Sequence, residues 1–331
     1  MKKILIFSLA LLILLTGCSK EKQEEDVDNT DNNKVIEKNN YVSYNGELSL
    51  DGINLVNQYN EKIQLKGVSS HGLQWFNYLI TDSNIKTLKE WGSNTFRLAM
   101  YTKEGGYIDN KSIYDDLIKD IDMIISNDMY VIIDWHILSD NNPNTYKEEA
   151  KEFFDKISYK YKDSPNVIYE ICNEPNGGTT WNEIKSYALE IIPVIRKNTN
   201  SIIIVGTPTW SQDIDSVIDN KLDFDNIMYS LHFYSGTHKD YLRDKVKKAL
   251  DNSIPIFVSE WGTSDASGDG GPYLEEADKW LDFINSNNLS YINWSLSDKN
   301  EKSALLLPNN NEINDNSLSE SGKYIKNILA K

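Results

Sequence analysis

Cysteine is almost absent from this chain, with 2 among 331 residues. Cys18 closes an N-terminal apolar run and Cys172 lies far downstream, so no disulfide framework is available to hold a fold. No base stands beside Cys172 in the sequence, and it reads as a small buried hydrophobe rather than a nucleophile. Histidine is also scarce, at 4, and neither His-x-His nor His-Glu-x-x-His occurs, which argues against a zinc hydrolase. No Gly-x-Gly-x-x-Gly follows a strand pattern and no Gly-x-x-x-x-Gly-Lys is present, so nucleotide binding has no support. Basic residues fall short of acidic ones, 34 against 50, for a net charge of −16. That balance excludes nucleic acid and anionic lipid as natural partners and favours neutral or cationic ones. The apolar run from Ile4 to Leu15 is too short to be a comfortable membrane span.

What is present begins with that run. Lys2 and Lys3 precede it, giving the charged and apolar regions of a signal peptide over residues 1–17. It closes on Leu15-Thr16-Gly17-Cys18, which resembles the bacterial lipobox. The resemblance implies that Cys18 is lipidated and becomes the mature N-terminus; the alternative is an ordinary signal peptide with an incidental cysteine. Residues 18–40 continue with Glu, Asp, Asn and Lys and no aromatic residue, a composition that cannot bury enough apolar surface to fold and reads as a solvated tether. The expected location is the outer face of a bacterial membrane, lipid-anchored, with some of the protein released.

From Tyr41 to Lys331 roughly 290 residues remain, an ordinary length for a (β/α)₈ barrel and read here as a single domain, 41–331. Glu47–Leu50 and Ile53–Val56 form a hairpin pattern turning at Asp51-Gly52, placed to close the bottom of a barrel. Eight strand patterns follow: Ile63–Val68, Asn94–Leu98, Tyr130–Asp134, Val167–Cys172, Ile202–Val205, Met228–Leu231, Ile256–Ser259 and Tyr291–Trp294. Runs such as Val131-Ile132-Ile133 suit strands buried on both faces. Helix-period stretches separate them: Ser83–Trp91, Ser112–Asn127, Asn144–Lys160, Thr180–Lys197, Lys239–Asp251, Gly271–Asn285 and, last, Ser319–Ala330. The stretch Thr209–Asn220 has no clear period. Asp265–Gly271 misses the EF-hand spacing and reads as a surface loop.

In such a barrel the C-terminal ends of the strands face the active site. Polar and aromatic residues collect there strand after strand: His71; Arg97 and Tyr101; Asp134-Trp135-His136; Asn173-Glu174; Trp210; His232-Phe233-Tyr234; Glu260; Trp294 and Lys299. A single strand-end histidine is more often structural than catalytic, so the weight rests on the joint pattern. Glu174 and Glu260 each end an apolar strand, and two such carboxylates are the chemistry of glycoside hydrolysis. The chain has 8 Trp and 19 Tyr, which serve core packing or supply flat platforms for sugar rings.

The segments Leu65-Lys66-Gly67-Val68-Ser69-Ser70-His71-Gly72-Leu73-Gln74-Trp75, Phe96-Arg97-Leu98-Ala99-Met100-Tyr101, Asp134-Trp135-His136-Ile137-Leu138, Tyr169-Glu170-Ile171-Cys172-Asn173-Glu174-Pro175, His232-Phe233-Tyr234, Ser259-Glu260-Trp261-Gly262 and Asn293-Trp294-Ser295-Leu296-Ser297-Asp298-Lys299 occur in unbroken order between Gly46 and Leu329. Together they resemble glycoside hydrolase family 5, close to the bacterial endoglucanases of its subfamily 2. The resemblance implies Glu174 as acid/base and Glu260 as nucleophile of a retaining endo-β-1,4-glucanase. It places Asn173 on the sugar 2-hydroxyl, and Arg97 and Tyr234 on Glu260. It also implies His71, His136 and His232 around the cleaved sugar, and Trp75, Tyr101, Trp210, Trp294 and Lys299 on further glucosyl units. No metal or cofactor is implied, the partner is a β-1,4-glucan, and the protein is expected to be a monomer. Other retaining β-glycanases (mannanase, xylanase, mixed-linkage glucanase) share such a site, because specificity lives in the loops. A glycan-binding protein without catalysis would be expected to lack one of the two carboxylates.

Cys18→Ser is expected to block processing or release the protein from membranes. Fractionation and fatty-acid labelling check this: unchanged fractionation, with no label on the wild type, removes the anchor.

Overall fold

The computed structural model describes residues 41–331; the signal-peptide segment, Cys18 and the tether to residue 40 lie outside the described residues. A short helix, α1 (Val42–Asn45), leads into an antiparallel pair, β1 (Ser49–Asp51) and β2 (Asn54–Val56), in which Asp51 faces Asn54 across a two-residue loop. Gly52 sits in that loop at φ +61°, a left-handed conformation that costs glycine little.

Eight parallel strands then close a barrel: β3 (Lys66–Ser70), β4 (Thr95–Tyr101), β5 (Tyr130–His136), β6 (Val167–Glu170), β7 (Ile203–Val205), β8 (Ile227–Tyr234), β9 (Ile256–Gly262) and β10 (Tyr291–Leu296), with β10 pairing back onto β3. The long helices are α3 (Asp82–Glu90), α4 (Ile113–Ser126), α5 (Lys147–Lys160), α6 (Trp181–Arg196), α8 (Asp240–Asp251), α9 (Leu274–Ser286) and α10 (Glu320–Leu329). Two single turns sit above the strands, α2 (Leu73–Phe76) and α7 (Pro208–Ser211). Helix starts follow local chemistry: Thr180 and Glu183 make a reciprocal capping box on α6, and the side chains of Thr81 and Ser319 cap α3 and α10.

The expected architecture is the observed one, with shifted strand bounds. The first strand begins at Lys66 rather than Ile63: the Ile63 N–H is taken by the Leu55 carbonyl of the N-terminal segment at 3.0 Å, and both Ile63 and Leu65 pack into the bottom of the barrel. Several strands run further at the top than their apolar pattern, β8 to Tyr234 and β9 to Gly262, since the polar residues that end the pattern remain in the sheet. The unclear stretch Thr209–Asn220 contains α7 and a 3₁₀ turn, Ile214–Val217.

Strand alternation sorts the barrel interior into layers. The lowest is apolar: Tyr130, Ile132, Ile168, Ile204, Met228, Phe257 and Ile292 pack together with Val42, Leu48 and Leu55 of the N-terminal segment, which closes the bottom. The Tyr130 hydroxyl donates to the Gly46 carbonyl at 2.7 Å, fastening that cover. Residues of the other parity, such as Val131, Ile133 and Trp135, pack outward against the helices in the main core. In the next layer up, five of the eight strands turn polar residues inward: Arg97, Asp134, Glu170, Ser230 and Ser259, all fully buried. The next layer is the candidate site.

β9 breaks the alternation. Ser230 pairs with Phe257 but His232 pairs with Glu260, so β9 carries one extra residue, a β-bulge. The bulge lets Ser259 and Glu260, adjacent in sequence, both face the interior, while Trp261 returns to the outer core.

A methyl group on Gly67 would lie 1.9 Å from the Thr95 carbonyl oxygen in the neighbouring strand, whereas one on Gly52 would meet nothing within 4 Å. Gly67→Ala should therefore cost about 3 kcal/mol of stability through forced backbone movement, and Gly52→Ala only about 1 kcal/mol through its positive φ. Thermal melts of the two variants check the ranking.

Candidate active site

A cavity of about 720 Å³ opens at the C-terminal ends of the strands. His71, Trp75, Tyr101, His136, Glu174, Trp210, His232, Tyr234, Glu260, Trp294 and Lys299 line it, so eleven of the sequence-selected residues meet in one place. Arg97 and Asn173 do not line it; both lie in its floor with no exposed surface. Arg97, grouped with the substrate-binding residues and expected to hold Glu260, does hold it from below, and with no exposed surface it has none to offer a sugar.

Arg97 points up from β4 into the polar layer. Its Nε donates to Glu170 Oε2 at 2.7 Å, its Nη1 to Glu260 Oε2 at 3.1 Å, and its Nη2 to Asn173 Oδ1 at 2.7 Å and lies 3.0 Å from Asp134 Oδ2. The Tyr234 hydroxyl donates to the other Glu260 oxygen at 2.7 Å. Both oxygens of Glu260 are thus engaged. Burial works to raise its pKa, but the His232 and Arg97 charges and the Tyr234 hydrogen bond outweigh burial and hold it below the ordinary range. Burial, with Glu170 and Glu260 adding to it, pushes Asp134 well above its ordinary value.

Glu174 stands just beyond β6. Its Oε1 faces His232 Nδ1 at 2.9 Å. Burial, with the Glu260 charge adding to it, raises its pKa against the opposing effects of His232 and Arg97. One carboxyl is therefore kept ionised and the other is biased toward its protonated form. Facing atoms of Glu174, His232 and Glu260 lie within 4.8 Å of one another. This trio has the spacing of metal ligands, but both His232 nitrogens and both Glu260 oxygens are already taken by protein partners. The arrangement is read as a hydrogen-bonded carboxylate pair.

The wall beside the pair is aromatic. His136 stacks on Tyr101 with ring centroids 4.1 Å apart and on Trp294 at 5.5 Å, and Trp75 meets Tyr101 edge-on at 5.0 Å. Trp75 and Trp210 are 44 % and 45 % exposed while Trp294 is 6 % exposed, so the first two offer open faces at the rim and Trp294 offers one face from within the wall. Burial, followed by the Lys299 and His136 charges, lowers His71 to about 3. Burial and the Arg97 charge lower His136 to about 3, so both rings are neutral near pH 7. Asn173 Nδ2 faces the Ile137 carbonyl at 3.1 Å and His136 Nε2 at 3.2 Å. Lys299 pairs with Glu301 at 2.6 Å.

Trp210 is carried by an unusual backbone. Thr209, Trp210 and Ser211 all have positive φ, near +58°, +54° and +56°. Each such non-glycine residue costs on the order of 1 kcal/mol or more and persists only when its surroundings fix it. Here Trp210 N–H donates to the Pro175 carbonyl at 3.0 Å and Ser211 Oγ to the Asn173 carbonyl at 2.7 Å, which ties the turn to the segment carrying Glu174.

The sequence reading missed Glu170 and Ser259 beneath the site and Glu104, His238, Ala266 and Glu301 around it. Glu170 had a signal: a carboxylate inside an apolar strand must have a buried partner. Ser259 lies within β9, where only the bulge turns it inward, and the remaining four sit in loops and had none.

A profile described as Cellulase (glycosyl hydrolase family 5) matches residues 56–300. An endoglucanase of Clostridium saccharobutylicum is 55 % identical over 296 residues, covering 87 % of this chain and 66 % of its own length. Endoglucanase N of Pectobacterium atrosepticum is 50 % identical over 291 residues, with 86 % and 66 % covered. The chain thus spans 66 % of the length of these two curated relatives. Among solved structures, Cellulase Cel5C_n superposes with a TM-score of 0.86 at 46 % identity, covering 89 % of this chain and 95 % of that one. The catalytic domain of Thermobifida fusca endoglucanase Cel5A (E5) E355Q, in complex with cellotetraose, gives 0.85 at 35 % identity, covering 88 % and 99 %.

Removing the Tyr234 hydroxyl takes away a hydrogen bond to an ionised carboxylate, worth about 1.5–3 kcal/mol. Tyr234→Phe should therefore raise the Glu260 pKa by about one to two units, so that Glu260 loses its charge at higher pH as the solution is acidified. Carbon-13 NMR titration of the glutamate carboxyls checks the direction; an unmoved Glu260 would show that Arg97 and His232 suffice.

Proposed function

This chain belongs to glycosyl hydrolase family 5, and from that membership and the geometry of its two facing carboxyls we propose that it is a retaining endo-β-1,4-glucanase of the bacterial endoglucanase subfamily 2. The observation that carries the mechanism is the close approach of Glu174 and Glu260, within 4.8 Å, with pKa values pushed in opposite directions. Retaining sites place their carboxyls about 5–5.5 Å apart and inverting sites farther, to admit a water between them. Endoglucanase and cellulase names among the relatives support the substrate class.

In the first step Glu260, held ionised and aimed by Arg97 and Tyr234, attacks the anomeric carbon. Glu174 delivers its proton to the leaving glycosidic oxygen as the carbon–oxygen bond breaks. In the second step Glu174, now a carboxylate, takes a proton from water, whose oxygen displaces Glu260. Trp75 and Trp210, exposed in the lining of the cavity, offer apolar faces to sugar rings. We also propose that the enzyme is held at the outer face of the membrane through Cys18, on the strength of the lipobox-like segment and the acidic tether.

A reducing-sugar assay across carboxymethylcellulose, lichenan, mannan and xylan tests the substrate. Highest activity on mannan or xylan would reassign it to another retaining β-glycanase, and no activity on any would favour a binding role. Glu260→Ala should abolish turnover on every substrate. Glu174→Ala should lose at least about a hundredfold on glucans while cleaving glycosides with activated aryl leaving groups, since these need little protonation. Proton NMR of early hydrolysate should show the β-anomer first; initial α-anomer would remove Glu260 as nucleophile.

A further inference from the structure

Glu170 has no place in the two-step chemistry, yet it is a fully buried carboxyl one layer below it. Its Oε2 takes the Arg97 Nε at 2.7 Å. Its Oε1 takes the Ser259 hydroxyl at 2.6 Å. Ser259 Oγ is also 2.6 Å from Ser230 Oγ and 3.0 Å from His232 Nε2. On the far side of the ring, His232 Nδ1 faces Glu174 Oε1 at 2.9 Å. A continuous chain therefore runs from Arg97 through Glu170, Ser259 and His232 to Glu174.

Counting protons along this chain leaves one arrangement. An ionised carboxylate accepts only, and a serine hydroxyl has one proton and two lone pairs. Glu170, paired with Arg97, takes the Ser259 proton. Ser259 must then accept from both other neighbours, so the Ser230 hydroxyl and His232 Nε2 are donors. With Nε2 protonated, the space between Nδ1 and Glu174 Oε1 holds one proton, carried by either atom.

We propose that Glu170 is a positioning residue: through the Ser259 hydroxyl it fixes His232 with a proton on Nε2, so that the proton held between Nδ1 and Glu174 is the one delivered to the leaving group. The proposal rests on Glu174 being the proton donor. The balance closes over a full cycle. The shared proton goes to the departing glycosidic oxygen as Glu260 forms its bond to the anomeric carbon. It is replaced by a proton from the water that later displaces Glu260, and His232 Nε2 keeps its own throughout.

Several charged groups face His232. Glu170 and Glu174 approach from β6 and the loop beyond it, and Glu260 from β9. Arg97 on β4, Asp134 and His136 on β5, and His238 past the end of β8 stand further off. The phenols of Tyr101 and Tyr234 are raised by burial and stay neutral. Burial alone would lower His232, but the Glu170 carboxylate 3.8 Å from Nε2, the contact with Glu174 and the Glu260 charge lift it to about 9. The pair of His232 and Glu174 thus retains its shared proton above the ordinary carboxylate range.

Glu170→Gln tests this with one atom changed. The new amide oxygen accepts from Arg97 and its NH₂ turns to Ser259, whose proton then points at His232 Nε2. That moves the ring proton to Nδ1 and leaves Glu174 ionised, so the acid form needs a lower pH. In the full chain, the alkaline limb of kcat/KM against pH for a cello-oligosaccharide should fall by one unit or more. Turnover of an activated aryl β-glucoside should change by no more than a few fold. A folded variant with an unmoved alkaline limb, or with equal losses on both substrates, would mark Glu170 as structural only and overturn the proposal. The wild type gives a second reading that needs neither the variant nor a substrate. Nitrogen-15 spectra of histidine-labelled protein should show His232 protonated at Nε2 across pH 5–8. An unprotonated Nε2 would overturn the proposal even if the hydrolase assignment stands, whereas absence of hydrolysis with Nε2 protonated would overturn the proton-donor assignment on which it rests.

Discussion

The guanidinium of Arg97 is fully buried at the centre of the barrel, and its three nitrogens meet Glu170, Glu260, Asp134, Asn173 and Ser69. A cation in such a place is tolerable only when it is closely paired, and removing one partner of a buried pair costs several kcal/mol, about 3–5. The fork therefore holds its neighbours as firmly as they hold it. Asn173 is drawn toward it from the segment beyond β6, and Glu260 from the bulge in β9. The relative placement of the two carboxyls at the top of the barrel follows from these constraints.

The same charge sets up the contrast between Glu174 and Glu260. Glu260 is buried and Glu174 half-buried, and burial works to raise both. Glu260 touches Arg97 and Tyr234 directly and is lowered on balance. Glu174 meets His232 and stays raised. Two identical side chains are thus given different tasks by what lies within hydrogen-bond reach. His232 is common to both environments, since its charge lowers Glu260 while its Nδ1 faces Glu174.

Much of this was legible in the residues. Eight apolar strand patterns alternating with helical periods specified a barrel, and the polar residues ending those patterns specified which end would carry the site. The two-residue period placed Arg97, Ala99 and Tyr101 on one face of β4, and Ser230, His232 and Tyr234 on one face of β8. Less legible was the path through Thr209–Ser211: three successive non-glycine residues with positive φ have no propensity signature, because the strain is held by hydrogen bonds to Asn173 and Pro175 in another segment.

The order of motifs along the chain determined the family resemblance, the barrel and the pair of glutamates, because strand period and strand-end chemistry are local properties of a sequence. Which groups surround each glutamate was decided only in three dimensions. One extra residue in β9 turns Ser259 and Glu260 to the same side, against the parity their adjacency predicts. Glu170, four residues before Glu174 and hidden in an apolar run, acquires its meaning from Arg97 and Ser259, which lie 73 and 89 residues away. Ionisation depends on distances and burial, and neither exists until the barrel closes.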